Sequence, residues 1–332
     1  MMDRRRFNTA LLASGAAALL PQGVRAQGGP EADWPKQIVR IVVPFPAGGT
    51  SDALPRLIAD VLTQVWKQPV VIENRPGAGG NVGAEVVAFA PPDGYTLLAA
   101  PPPPIAINHN LYPKLGYDPT KFKPITIIGS ATNVVDVSNK LGVSTIAELI
   151  AKAKANPGGI NCANQGNGST SHLTAALFES RAGVKFNHVP YRGTAPALAD
   201  LVAGHVDIFF DNISQSLPQH RAGMLKMIGV CALERSSDVP EVPTLSEQGL
   251  PGFSAGAWYG MMAPPGTPDG LIEKINRDVV AIIKSPEITR KFVEQAAKPI
   301  GNTPQEAAAF IASEEKLWGG VIKQANVKIG AG

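Results

Sequence analysis

Two cysteines in 332 residues, Cys162 and Cys231, are too few for a disulfide scaffold or a zinc cluster built mainly of thiolates. The five histidines, at 109, 172, 188, 205 and 220, show no paired metal-ligand spacing. No Gly-x-x-x-x-Gly-Lys-Ser/Thr phosphate loop occurs, and no Gly-x-Ser-x-Gly nucleophile elbow. Gly77-Ala78-Gly79-Gly80-Asn81-Val82-Gly83 comes near a dinucleotide fingerprint, but its third glycine is misplaced, so it reads as a tight turn with a helix start. No metal, cofactor or catalytic group is expected. Past residue 26, no stretch of membrane-spanning length is free of proline, glycine and charge. Single-sign charge is also missing. Of 30 basic and 27 acidic residues, residues 1–26 hold four arginines and one aspartate, which leaves 26 of each. A neutral body excludes an electrostatic footprint for nucleic acid or an anionic membrane.

The first 26 residues read as an export signal. Arg4-Arg5-Arg6-Phe7 opens it, Ala10 to Leu20 is small and apolar, and Val24-Arg25-Ala26 suits cleavage before Gln27. Arg4-Arg5-x-Phe7 fits a twin-arginine signal loosely and leaves the ordinary route open. The mature chain is expected outside the cytoplasm, soluble and monomeric. There an oxidising compartment permits a Cys162–Cys231 bridge, and two buried free thiols are the alternative.

What is present is an alternation of strand and helix signals. Ile38-Val39-Arg40-Ile41-Val42-Val43 and Val70-Val71-Ile72-Glu73 read as strands, and the spacing of Leu54, Leu57, Ile58, Val61, Leu62 and Val65 predicts a helix between them. Further strands are expected at 95–100, 125–128, 134–137, 160–163, 206–210, 225–232 and 258–263. The run from Pro101 to Pro104 should stop regular structure. Ser144 is expected to cap a helix through Ala155. Such alternation argues for an α/β protein with mainly parallel sheets.

Two strand-to-helix loops share one build. The first is Pro44-Phe45-Pro46-Ala47-Gly48-Gly49-Thr50-Ser51-Asp52; the second is Asn164-Gln165-Gly166-Asn167-Gly168-Ser169-Thr170-Ser171-His172. Small residues there expose backbone N–H groups, and Ser51 or Asp52 can cap the first helix. A helix start carries unpaired donors and partial positive charge, which suits an anion. In open α/β sheets ligands sit beyond the carboxyl ends of strands, where both loops lie. The expectation is two lobes whose loops face across a cleft and hold a small carboxylate. Ser169, Ser171 and His172 invite a hydrolase reading, but adjacent side chains on a first helical turn diverge. Asp207 should bind backbone at a strand start, and Asp211 should lie at the cleft edge. Arg192 suits either a carboxylate clamp or a surface or inter-lobe pairing.

Several longer motifs follow one another in order. They are the first loop; Glu73-Asn74-Arg75-Pro76-Gly77-Ala78-Gly79-Gly80-Asn81-Val82-Gly83; Pro92-Asp93-Gly94-Tyr95-Thr96-Leu97; the second loop; and Val189-Pro190-Tyr191-Arg192-Gly193-Thr194-Ala195-Pro196-Ala197-Leu198. Together they resemble the periplasmic receptors of tripartite tricarboxylate transporters, the Bug receptors, over nearly the whole mature chain. The resemblance implies a two-lobed type II periplasmic-binding fold, each lobe a mainly parallel sheet flanked by helices. Lobe 1 is expected at 34–133 plus 252–332 and lobe 2 at 134–251. It implies a small carboxylate as ligand and a membrane permease as partner, without enzymatic turnover. Carried over by position, Phe45, Ala47, Gly48, Thr50, Ser51 and Asp52 come from the first loop. The second gives Asn167, Ser169, Thr170, Ser171 and His172, with Tyr191 and Asp211 lining the cleft. Where the family has a polar segment after the third strand, this chain has Ala100 and four prolines. That removes backbone donors from one wall, which argues against a polar distal group such as a second carboxylate and favours a flatter or aromatic acid. Replacing Asp52 with Ala is expected to weaken binding while sparing the melting temperature. A ligand sensor signalling to a membrane kinase, and an exported Ser/His hydrolase, are the competing readings.

Overall fold

The structure is a computed structural model that describes residues 33–325 and residue 327. The expected export signal, 1–26, lies outside the described residues.

The chain builds the same unit twice. In the first, β1 (Val39–Val43), α1 (Thr50–Trp66), β2 (Val70–Asn74), α2 (Asn81–Ala88) and β3 (Thr96–Ala100) follow one another. Strand β1 lies between β2 and β3, parallel to both. Its Val39, Ile41, Val42 and Val43 are all buried, as a central strand covered on both faces requires. Helix α1 turns Leu54, Ile58 and Leu62 onto the sheet while Val65 faces water.

The chain then turns through α3 (Asn108–Leu111) into β4 (Lys123–Ser138) and α4 (Ile146–Ala155). The second unit follows: β5 (Asn161–Asn164), α5 (Thr170–Ala182), β6 (Asn187–Pro190), α6 (Thr194–Ala203) and β7 (Ile208–Asn212). Here β5 lies between β6 and β7, again parallel to both. Next come α7 (Ile213–Arg221), β8 (Leu225–Val230), β9 (Gly256–Ala263), α8 (Asp269–Ile283), α9 (Pro286–Glu294), β10 (Lys298–Pro299) and α10 (Pro304–Gln324).

One long strand joins the two units. Residues Lys123–Thr132 of β4 pair antiparallel with β9, which pairs antiparallel with β3 on its other edge. Residues 133–138 of β4 pair antiparallel with β7 and β8. The two short strands expected at 125–128 and 134–137 are therefore one element, and the sheet is mixed: parallel within each triplet, antiparallel where β4 and β9 run. Gly129 permits the continuity. A side chain there would meet the Lys298 carbonyl at 2.7 Å, so only glycine lets β10 pass so close. Helix α10 spans both units: Ala307 packs with the first, while Trp318, Val321 and Ile322 join the core that holds Val135, Phe178 and Phe210.

Three local expectations need correction. The proline run does not end regular structure. It leads through one π-helical turn, Pro103–Ile107, into α3, because a first helical turn has no N–H partner for proline to lose. The cap of α4 is Thr145, not Ser144, in a reciprocal box with Glu148. Helix α7 was not expected at all; its polar Ser-Gln-Ser run and internal Pro218 hide it. Cys162 and Cys231 are both buried and free. Among the described residues no helix is long and apolar enough to cross a membrane.

Candidate functional site

The loops after β1 and β5 come together at the carboxyl ends of the two central strands. A chamber of about 180 Å³ has Gly49, Thr50 and Ser51 on one side and Ser169 and Thr170 on the other. A wider cavity of about 780 Å³ adjoins it and shares Phe45, Pro46, Pro103, Gln165 and Arg192 with it. The start of α6, Gly193 and Thr194, and the end of β7, Asn212, complete the chamber wall.

In the first loop Gly48 sits at φ +93°, a backbone that disfavours side chains, and Gly49 precedes α1 without a side-chain cap. Neither Ser51 nor Asp52 is the cap. Asp52 instead reaches back from the third helical position to accept the Gly48 N–H at 3.0 Å. Its carboxylate also takes Arg56 in two contacts, 2.9 and 2.8 Å, and Asn74 Nδ2 at 2.8 Å. Burial raises the Asp52 pKa, but these hydrogen bonds outweigh burial and hold it below the usual carboxylate range. With its acceptor sites occupied, Asp52 shapes the loop and lines neither cavity. Its replacement should therefore cost stability as well as binding, against the expectation stated above.

The second loop uses the same device with different chemistry. Gly168, at φ +79°, donates its N–H to His172 Nδ1 at 3.1 Å, and Ser169 Oγ accepts the His172 N–H at 3.2 Å. Burial, and then the neighbouring His188, lower the His172 pKa to about 4. The ring is thus neutral at neutral pH and able to accept. His188 stacks on it edge-on at 4.9 Å and bonds Glu179 at 3.0 Å.

Among the described residues, no hydrogen bond uses the N–H groups of Thr50, Ser51, Thr170 or Ser171. Two helices thus begin at one chamber with free donors and positive dipole ends. Thr50 also ties the halves together, its Oγ1 lying 2.8 Å from Ser214 Oγ and 3.0 Å from Gln215 Nε2.

Of the residues expected from sequence, Phe45, Ala47, Gly48, Thr50, Ser51, Ser169 and Thr170 line the chamber, and Asn167 and Tyr191 line the wider cavity. Asp52, Ser171, His172 and Asp211 line neither. Asp211 is fully buried rather than at the cleft edge, and it accepts Gln165 Nε2 at 2.7 Å. Burial raises its pKa to about 7. Asp136 on β4 is buried nearby, and burial followed by the Asp211 charge raises its pKa as well. Asp207 accepts the Asn161 N–H at 2.8 Å, as expected. The serine and histidine side chains of the second loop form no nucleophile–base pair, since His172 Nδ1 is committed to Gly168.

Gln165, Thr194, Asn212, Gln215 and Tyr259 line the chamber without having been singled out. The repeated unit supplies the missing signal. If two strand ends carry ligand loops, the other parallel strand ends, and the helices after them, belong to the wall as well.

A family model described as the tripartite tricarboxylate transporter family receptor matches residues 54–327. Protein BugT of Bordetella pertussis is 35% identical over 298 residues, covering 89% of this chain and 91% of that one. An R. palustris protein solved with adipate superposes with a TM-score of 0.85 at 38% identity, over 89% of this chain and 99% of the other. MatC from Rhodopseudomonas palustris, solved with bound malate, gives 0.81 at 34% identity, over 87% and 100%. These relatives are solute-binding receptors rather than enzymes.

Proposed function

The chain belongs to the tripartite tricarboxylate transporter receptor family, and on that footing we propose that it is an exported receptor for a small carboxylate, which it delivers to a membrane permease. The observation that carries the reading is the chamber between α1 and α5, with unpaired N–H groups at Thr50 and Ser51 on one side and Thr170 on the other. One carboxylate of the ligand accepts from both helix starts and so bridges lobe 1 (34–133 with 252–332) and lobe 2 (134–251). The bridge favours the closed form, because only that form offers both sets of donors. Phe45, Ala47, Gly48 and Ser169 frame the carboxylate, and Asn167 and Tyr191 face the rest of the ligand. Asp52, His172 and Asp211 act one step back, by fixing Gly48, Gly168 and Gln165.

Each charge–dipole contact at a helix start is worth about 0.3–2 kcal/mol, and each charge-assisted hydrogen bond about 1.5–3 kcal/mol. A few together support a micromolar Kd, about −8 kcal/mol, after ordering costs. The leader at 1–26 directs the chain to the periplasm, where receptors of this family work, and the mature chain acts as a monomer. The test is mass spectrometry of small acids released from natively purified receptor, followed by calorimetry with the acid found. One carboxylate bound per chain supports the reading. Failure of every carboxylate in a broad panel to bind, to protein stripped of carried ligand, overturns it.

A further inference from the structure

A second groove lies behind the strands that cross between the lobes. Ala257 of β9 lines the ligand chamber, and its partner on β4, Ala131, is buried. Ser130 and Thr132 flank Ala131 in the strand, so they point to the opposite face, where they line a groove of about 600 Å³. One wall of the groove is the α9–β10 corner of lobe 1, from Val293 to Pro299; the other is the segment after β8 in lobe 2, from Ala232 to Asp238. The walls already touch at one point. Ala296 packs against the lobe 2 cluster of Val230, Val239 and Val242, as does Ala232. It does so at φ +44°, a left-handed backbone in a residue other than glycine, which the packing around it has to hold in place.

Elsewhere the walls stand apart. Leu233 on one is 66% exposed and Val293 on the other is 54% exposed. A single exposed leucine or valine is ordinary. Two that line one groove from opposite lobes would bury each other if the groove narrowed, and that burial is favourable. Opening the ligand cleft narrows it. Two bodies joined by crossing strands rotate about those strands, so the gap on one face shrinks as the gap on the other widens. Here the ligand side is drawn together, with Thr50 bonded to Ser214 and Gln215, and the groove behind is wide.

We propose that Leu233 and Val293 are positioning residues that set ligand affinity from behind the hinge: they meet in the open receptor, hold it open, and part when a ligand closes the cleft. Closure exposes both side chains again, so it works against their contact. The apparent Kd is the intrinsic value divided by the fraction of receptor already closed, and the pair keeps that fraction small. This rests on the reading above that the lobes close round a carboxylate, and it goes beyond that reading by naming what opposes closure.

The test is a full mature receptor carrying Leu233→Cys with Val293→Cys, stripped of carried acid; Cys162 and Cys231 are buried and stay out of the reaction. A disulfide needs Cβ atoms about 4 Å apart, so mild oxidation should bridge the new pair only when the walls meet. The bridged protein should have a larger radius of gyration in X-ray scattering than the reduced one. It should also bind adipate, the acid found in the R. palustris relative, at least about 10-fold more weakly until it is reduced. Leu233→Ser and Val293→Ser should each tighten adipate by about 3- to 10-fold and make the stripped receptor more compact. A merely structural role cannot tighten binding. Failure of the pair to bridge, a bridge that leaves the scattering unchanged, or serine variants with unchanged scattering would each overturn the proposal and leave a carboxylate receptor intact. Failure of adipate and every other carboxylate to bind the unsubstituted protein would instead remove the reading beneath it, and bridging with scattering would still decide whether the pair meets.

Discussion

At the third position of α1 stands Asp52; at the same position of α5 stands His172. Each reaches back to the N–H of a positive-φ glycine, Gly48 or Gly168, and so bends its loop to leave the next N–H groups free. The first loop does this with a charge, neutralised by Arg56 and braced by Asn74. The second does it with a neutral ring, kept so by burial. The difference matters for an anion receptor. A bare carboxylate at one helix start would repel the ligand, and the Arg56 pair removes that cost. The neutral imidazole never incurs it. Lobe 1 should thus resist acid where lobe 2 does not, and lobe 2 should tolerate salt where lobe 1 is weakened.

The widest break in this parallel comes from Asp52→Ala. It leaves the Gly48 N–H, Arg56 and Asn74 without their acceptor, so carboxylate affinity should drop by more than about 30-fold, roughly 2 kcal/mol. The apo protein should lose about 1–3 kcal/mol in denaturant unfolding. An unchanged Tm with lost binding would return Asp52 to direct ligand contact.

The strands after the loops differ too, and acid should reveal it. Strand β7 ends in Asp211-Asn212, with buried Asp136 near Asp211, where β3 ends in Leu98-Ala99-Ala100. Asp211 titrates at about 7 in the fold, far above an unfolded aspartate, so between about 4 and 7 the native state holds more protons. Its contribution is therefore full at low pH and is lost as pH rises to about 7. Asp136→Asn should raise Tm at pH 8 more than at pH 5, by melting in matched buffers; an equal shift at both would show that the pair does not titrate there.

His172 has the opposite sign. With its folded value near 4, the unfolded chain holds more protons between about 4 and 6.5, so its contribution is lost as pH falls through that window. Amide exchange at Gly168 should accelerate towards pH 4, relative to its intrinsic rate, before exchange at Gly48 does. His172→Leu should cost about 1–2 kcal/mol and remove that order. The smallest effect belongs to Thr50→Val, which deletes the contacts with Ser214 and Gln215 across the cleft. It should weaken ligand binding by about 3-fold, near 0.7 kcal/mol, and expand the apo radius of gyration in X-ray scattering. No change in either would mean that these bonds do not hold the halves together.

Much of this was legible in the chain. The loops were, because a buried apolar run, then Gly-Gly-Thr-Ser or Gly-Ser-Thr-Ser, then a helical period is local information. The strand alternation was legible for the same reason. The jobs of Asp52 and Asp211 were not. Which lone pairs of Asp52 are free depends on Asn74, brought in by β2, and Asp211 is covered because α7 follows it. That helix was hidden by its serines, glutamines and Pro218. The continuity of β4 was hidden by Gly129-Ser130, which looks like a break until β10 is seen against it. Tertiary neighbours decided these points, and no window of sequence contains them.

The account stands on amide donors at two opposed helix starts. Its most direct test is nitrogen–proton correlation spectroscopy of the labelled receptor, titrated with the acid recovered from it. The amide signals of Thr50, Ser51 and Thr170 should move downfield together, with one affinity, as they take up the carboxylate. Stationary signals at one of the two helix starts, while the ligand binds, would contradict it.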